Sequence, residues 1–452
     1  MTQINNHAKP VNILFLHSHN TGRYIQPMGH AVATKNLQQL AEQGVLFRQA
    51  FSTAPTCSPS RASFMTGQFP HAAGMFGLAH RGFVLEHPQH HIARYLSSQG
   101  YQTALAGVEH SGASPTEAGY DLVLSNLDPN YPETKNDPLP EEKAAMYLKK
   151  VGGQPFFLSV GLNETHRPFS KPQPDRHPLE DSRFCLPPRP LPDDPVLRAD
   201  MAAFKASVRQ MDESFGRVLR ALDDAKLSQN TLVFCFSDHG LQFPRNMCTL
   251  SDHGIGVYLI VRGPGGFEGG QVCDQMASLI DLFATACDVP NIAPPPWLQG
   301  QSLRKRIDGS GNESKQQRSI FAQINYHAAY EPVRCVRTQR YKYIRRFSPQ
   351  DTVVLSNIDE SPGKTLLIDK GWSDRRHEPE SLYDLVFDPD EVHNLAQQDE
   401  SCVVLDNMRQ ELAQWMIEME DPLHRGAVAP PSGAQLNRPD QPSPKSPKFT
   451  AT

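Results

Sequence analysis

In the stretch 54–67, APTCSPSRASFMTG, Cys57 is followed two places on by Pro59 and four places on by Arg61. The run from about Ser60 to Thr66 favours a helix, and Gly67 is placed to end it. This puts a thiol at the start of a helix, one turn from a guanidinium. A thiol in such a place could be a low-pKa thiolate, held by the helix end and the arginine and able to act as a nucleophile. It could equally be an inert, half-buried thiol. The residue types alone leave both readings open.

Three further polar clusters share one property. HSHN (17–20), NETHRP (163–168) and SDHG (237–240) each follow a short apolar run, VNILFL, PFFLSVGL and TLVFCF. Runs of that length and content read as buried strands. Between them lie helical patterns. TKNLQQLAEQG (34–44) has Thr34 as a candidate cap, apolar residues at helical spacing and Gly44 as a stop. The segment 197–226 carries Met201, Phe204, Val208, Met211, Phe215, Val218, Leu219 and Leu222 on one stripe. A helix near 88–99 and another over QMASLIDLFATACDV follow the same logic. Alternating strands and helices predict an α/β fold, with a large, mostly parallel (mixed) sheet and helices on both faces. In such sheets chemistry gathers at the carboxyl ends of the strands, and the three polar clusters lie there.

After about residue 320 the texture changes. SIFAQINY, EPVRCVRTQ and RYKYIRRF are short strands without long helices between them. They predict a small antiparallel sheet, with a helix at 401–419 packed on it. The expected organisation is a catalytic domain over 1–320, a smaller C-terminal α+β domain over 321–425 and a disordered Pro/Ser/Gly/Lys-rich tail over 426–452.

Bulk properties narrow the classes. The chain has 452 residues, a formal net charge of −5 and 38% hydrophobic residues. Neither charge nor patterning favours nucleic acid or an anionic membrane as partner. The N-terminal sequence reads as neither a signal peptide nor a membrane span. The eight cysteines are scattered without a CxxC pair, and Cys235 and Cys287 sit in apolar runs as core thiols. A reduced, cytoplasmic protein is expected. Its oligomeric state is not legible. NET (163–165) and NES (312–314) match a glycosylation triplet, but that location gives them no role. HPQHH (87–91) reads as a solvated face, and RGPGG (262–266) as a turn.

The segment CSPSRASFMTGQFPHAAGMFGL resembles the signature of the type I, formylglycine-dependent sulfatase family of the alkaline-phosphatase superfamily, and is closest to its sulfamidase-like members. SDHG, RTQRYKYIRR and SLYDLVFDPDEVHNLA (381–396) are similar to later family patterns, so the resemblance runs from about 11 to 420 in family order. It implies that a separate maturation enzyme, reading Cys-x-Pro-x-Arg, oxidises Cys57 to formylglycine. One hydroxyl of the hydrated aldehyde then attacks sulfur and the other expels sulfate, a second step that a thiol could not perform. It also implies that Arg61 holds the diol or a sulfate oxygen through its fork of donors. A divalent cation, calcium by resemblance, would lower the diol's pKa and offset the sulfate's charge. Asp238 and His239 match one metal pair, His110 the base that assists sulfate release, and His166 the histidine that contacts sulfate or protonates the leaving group.

The chain departs from the pattern where the other metal pair, two aspartates, is expected: His19 and Asn20 stand there. Imidazole suits manganese or zinc better than calcium. Val108 and Met247 replace two expected cations. Arg245 could substitute for one as a substrate-binding residue, and Glu109 could add a carboxylate. The resulting expectation is a metal-dependent hydrolase acting on a small-molecule or saccharide sulfate ester or sulfamate. The alternatives are a phosphodiester or phosphonate monoester hydrolase of the same superfamily, or a non-catalytic binding protein with a degenerate metal site.

Overall fold

A computed structural model describes residues 10–126, 139–169, 175–307 and 318–452. The NES triplet lies outside them. The apolar runs form the strands expected of them. Asn12–Ser18 occupies the middle of an eight-stranded sheet, paired in parallel with Phe156–Gly161 on one side and Thr231–Ser237 on the other. Gln102–Gly107 and Leu122–Asn126 continue the sheet in parallel beyond Phe156–Gly161. On the far side Leu259–Arg262 pairs antiparallel with both Thr231–Ser237 and Val45–Phe47, which makes the sheet mixed.

Both faces are buried, which is why the strands read as continuous apolar runs. Ile13, Phe15, Phe157, Leu232, Phe234 and Phe236 point to one face and pack under Ala62, Phe64, Ile92, Leu96, Leu282 and Phe283. Leu14, Leu16, Leu158, Val160, Val233 and Cys235 point to the other, against Leu37, Leu40, Tyr147 and the long helix Pro195–Asp224. Phe15 stands edge-on to Phe157, Phe234 and Phe236, with ring centroids 5.2, 5.1 and 5.7 Å apart. Each such pair adds about 0.5–1.5 kcal/mol beyond area burial.

Register sets the site. Ser18 lies opposite Ser237, and His17 and Gly107 both lie opposite Gly161. Four strands therefore end level, and the residues just beyond them emerge side by side. Gly161 is required there, because a Cβ would come within 2.1 Å of the Val108 carbonyl oxygen and 2.5 Å of the His17 ring.

A second sheet, antiparallel, is made of Ile320–Tyr326, Tyr330–Arg337, Tyr341–Arg346 and Glu380–Asp384. The helix Cys402–Glu418 covers it, with Leu405, Met408, Leu412, Trp415 and Met416 against Val336, Tyr343 and Leu382. The buried Lys342 amino group reaches across to Asp252 at 2.6 Å and Glu391 at 3.0 Å.

Several local expectations are corrected. The helix after the Cys57 motif begins at Cys57 itself and runs to Thr66, because Pro59 is tolerated in a first turn, where its missing N–H has no partner to lose. The helix Lys35–Gln43 is capped by the Asp212 carboxylate, which accepts from Asn36 N and Leu37 N, while the Thr34 hydroxyl accepts from Gln26 N instead. QMASLIDLFATACDV is split. Ala277–Ser278 is strand and Asp281–Asp288 is helix, with the Asp281 carboxylate accepting from Ser278 N and Gln301 N. In HPQHH, His91 is fully buried rather than solvated. The segment 426–452, expected to be disordered, carries a short pairing of Gln435–Leu436 with Phe449–Thr450. Its order has a polar cause: the buried Arg81 guanidinium needs acceptors and takes the Gln435 and Pro444 carbonyls and Asn437 Oδ1.

Candidate active site

The level strand ends bring His19, Asn20, Asp238 and His239 together, and the helix Cys57–Thr66 points its first residue at them. Ligand atoms of His19, Cys57, Asp238 and His239 all lie within 4.8 Å of one another, and all four residues are buried. The Cys57 sulfur is 2.9 Å from His19 Nε2, 3.4 Å from His239 Nε2 and 3.8 Å from Asn20 Oδ1.

Asp238 is the hub. Its Oδ1 accepts from the backbone N–H groups of Asn20 and His239 at 2.8 and 2.9 Å. Its Oδ2 accepts from Arg61 Nε at 3.1 Å and lies 3.6 Å from His19 Nε2. Arg61 is fully buried, and its Nη2, also 3.1 Å from Oδ2, is outside hydrogen-bond geometry and keeps a free donor. The third nitrogen, Nη1, donates to His17 Nδ1 at 3.0 Å. Since a guanidinium can only donate, His17 carries its hydrogen on Nε2 and gives it to Ser159 Oγ. His239 Nδ1 is 3.1 Å from the Gly240 carbonyl, which can only accept. Its hydrogen is therefore on Nδ1, and the Nε2 lone pair faces the thiol.

Burial dominates the electrostatics. The Cys57 thiol is pushed well up, first by desolvation and then by the Asp238 carboxylate, which together outweigh Arg61. The thiolate reading is thereby corrected: unassisted, this sulfur keeps its proton at neutral pH. His19, His110 and His239 are pushed down, again first by burial, and are neutral, ligand-competent imidazoles.

His166 and His110 flank the cluster. Their ring centroids are 4.5 and 6.2 Å from that of His19. His166 Nδ1 donates to the Arg167 carbonyl, leaving Nε2 to face Gln242 at 3.5 Å. His110 adopts a left-handed backbone conformation, with φ of 57°, and stacks on His80. The donor set supplies one carboxylate, one amide oxygen, two imidazoles and position 57. It fits a divalent ion that accepts nitrogen and low coordination. It fits calcium less well, since calcium takes six to eight oxygens.

The family description "Sulfatase" matches residues 18–292, and "N-sulphoglucosamine sulphohydrolase, C-terminal" matches 238–370. The chain belongs to the sulfatase family. It is 29% identical to human N-sulphoglucosamine sulphohydrolase over 92% of this chain and 91% of that one. Its fold is shared with the yidJ protein of Bacteroides fragilis, at a TM-score of 0.73 and 19% identity over 95% of this chain and 100% of that one. It is also shared with the phosphonate monoester hydrolase of Agrobacterium radiobacter, at 0.67 and 18% over 90% and 96%. A fold common to hydrolases with different substrates does not choose between them.

The departures of this sulfatase from its family pattern can now be placed. Met247 is buried in an apolar cluster with Phe51, Leu250 and Ile255. Arg245 is not among the clustered ligand residues. Its Nη1 donates to the Pro190 carbonyl, and it lines a separate cavity of about 210 Å³ with Cys248, Glu331 and Trp372. Glu109 adds no carboxylate to the metal cluster, since its oxygens accept from His91 Nε2 at 3.0 Å and Ser111 N at 2.8 Å. Sequence reasoning missed His17, which lies on the strand Asn12–Ser18 and alternates with Phe15 and Ile13 on the face that packs under the Cys57–Thr66 helix. It also missed Gln242, which bridges Arg167 N and Asp359 Oδ2. No local pattern marks that residue, because its partners come from two distant segments.

Proposed function

We propose that this sulfatase removes sulfate from an ester or sulfamate carried by a saccharide, with Cys57 as formylglycine and a divalent ion held by His19, Asn20, Asp238 and His239. The observation that carries the reading is the convergence, at one buried point, of Cys57, the Arg61–Asp238 pair and these ligands. The printed name of the human relative supports a sugar sulfamate. The donor set favours manganese or zinc over calcium. A maturation enzyme that recognises the Cys57–Arg61 core is the proposed protein partner.

The aldehyde supplies, as its hydrate, a nucleophile that can also expel sulfate. The ion supplies Lewis acidity and charge. The protein's own residues do the rest. Asp238 and His17 lock Arg61, so that its spare Nη2 donor is aimed without reorganisation at an oxyanion beside residue 57. His166, oriented by its Nδ1 hydrogen bond to the Arg167 carbonyl, is the residue to protonate the leaving oxygen or nitrogen from Nε2 when the ring carries both protons. His110, neutral through burial, is the residue to take a proton from position 57 when sulfate departs. Burial of Cys57, Arg61, His110, Asp238 and His239 excludes bulk water from them and strengthens each electrostatic contact, while His166 is half-buried at the edge.

A panel of nitrophenyl sulfate, a nitrophenyl phosphate diester, a phenylphosphonate and glucosamine N-sulfate tests this with protein co-expressed with a maturation enzyme. Turnover is expected on the sulfate and the sulfamate. Faster turnover of phosphonate or diester would reassign the substrate class, and no turnover on any member would favour a binding protein.

A further inference from the structure

The metal-binding side chains of this sulfatase differ in kind from a set of oxygens, and they include the sulfur of position 57 as the gene encodes it. We propose that the chain in which Cys57 is still a thiol is itself a complete four-donor zinc site, with His19 Nε2, His239 Nε2, an Asp238 oxygen and the Cys57 sulfur closing around one ion. The inference rests on the reading of this cluster as the metal centre.

The geometry favours it. Tetrahedral zinc with bonds of about 2.0–2.3 Å sets its donors roughly 3.3–3.6 Å apart. Three of the six donor separations are 2.9 Å for His19 Nε2 to sulfur, 3.4 Å for His239 Nε2 to sulfur and 3.6 Å for His19 Nε2 to Asp238 Oδ2, and all six lie within 4.8 Å, so small side-chain shifts close the four donors on one ion. The groups are also pre-oriented from outside. The Gly240 carbonyl holds the His239 Nδ1 hydrogen, so that the Nε2 lone pair faces the sulfur. Two backbone N–H groups hold Asp238 Oδ1, so that Oδ2 faces the cluster. Outer partners of this kind fix ring and carboxylate orientation in metal sites.

The thiolate adds a second negative charge beside the Asp238 carboxylate, so that, with the Arg61 guanidinium that already pairs with Asp238, the closed site carries a net charge of +1 instead of the +2 that a neutral thiol would leave. On binding, the S–H bond breaks, a sulfur–zinc bond forms and the proton leaves to solvent, with no change of oxidation state. Two nitrogens and a sulfur among four donors disfavour calcium and magnesium and suit zinc.

The test uses the full chain expressed without a maturation enzyme, so that residue 57 stays a thiol. Zinc or cobalt is added, unbound metal is removed by gel filtration, and metal content and the optical spectrum are read. One equivalent of zinc is expected to be retained against excess calcium. Cobalt should give strong visible bands of four-coordinate geometry and a near-ultraviolet sulfur-to-metal charge-transfer band. Cys57→Ser keeps the side-chain volume and should abolish that band. Cys248→Ser, at a buried thiol close in space, should leave it intact. His19→Ala should weaken zinc binding by at least the roughly 10–100-fold seen for lost outer partners. No retained zinc, displacement by calcium, or a charge-transfer band that survives Cys57→Ser would overturn the proposal. Because the readout is metal and spectrum in the thiol form, its failure is separate from the substrate panel, which uses the matured form.

Discussion

At the scale of single residues, Arg61 has two separable roles. It neutralises a fully buried Asp238, and in the proposed function its unpartnered Nη2 is the donor offered to the reacting group. Arg61→Ala should therefore destabilise the fold by about 3–5 kcal/mol, because it leaves a buried carboxylate unpaired; urea unfolding measures this. Arg61→Lys keeps the charge but loses the fork, and should retain most of the stability while kcat falls by about 10²–10³. His166→Ala should lose about 10²–10⁴ on a sulfamate or alkyl sulfate but much less on nitrophenyl sulfate, whose leaving group needs little protonation. Equal losses on both would remove His166 from that role. At this scale the sequence was most legible. Cys57, Arg61, Asp238 and His239 lie within or beside short local motifs, and Ser18 opposite Ser237 is a consequence of strand register. Arg245 lies close to SDHG in sequence, but its backbone is left-handed at φ 64° and its Nη1 donates to the Pro190 carbonyl, outside the metal cluster.

At the scale of elements, the loop after Gln102–Gly107 is the part most dependent on a buried polar clamp. His91 Nδ1 accepts from Ala93 N and so caps its helix, which leaves Nε2–H to donate to Glu109, whose other oxygen holds Ser111 N. His110 is suspended between the two held residues. Glu109→Gln keeps the shape but sets an amide N–H against one of these donors. The expected result is a loss of about 1–3 kcal/mol in stability, with a lower kcat and unchanged metal content. A change in metal content would show that Glu109 acts on the cluster after all. This clamp was not legible as a function. HPQHH read as a solvated run because its polarity is uniform, and only the packed helix Ile92–Ser98 shows that its last histidine turns inward. Strand and helix types were legible because burial on both sheet faces writes itself into continuous apolar runs. Their ends were less so, being set by side chains such as Asp212 and Asp281 that arrive from elsewhere.

At the scale of the whole molecule, buried neutral histidines couple stability to pH. His30 and His377 are pushed down to about 4 and His327 to about 3, in each case mainly by burial. In the unfolded chain they take protons near pH 6.5. Between that pH and about 4 the unfolded state binds more protons, so stability is full above pH 7 and falls as pH drops through 6.5. The midpoint of thermal unfolding should decline steadily from pH 7 to pH 4.5; a flat profile would mean that these rings are solvated. The C-terminal segment was the least legible part, because its order comes from backbone carbonyls offered to Arg81, and carbonyls leave no trace in composition. The whole account turns on the chemical state of residue 57. The decisive measurement is the mass of the peptide containing it, paired with nitrophenyl sulfate turnover of the same preparations, made with and without a maturation enzyme. An aldehyde mass that rises in proportion to turnover, with a silent thiol preparation, is the expected result. Equal turnover from a preparation whose Cys57 is entirely thiol would contradict it.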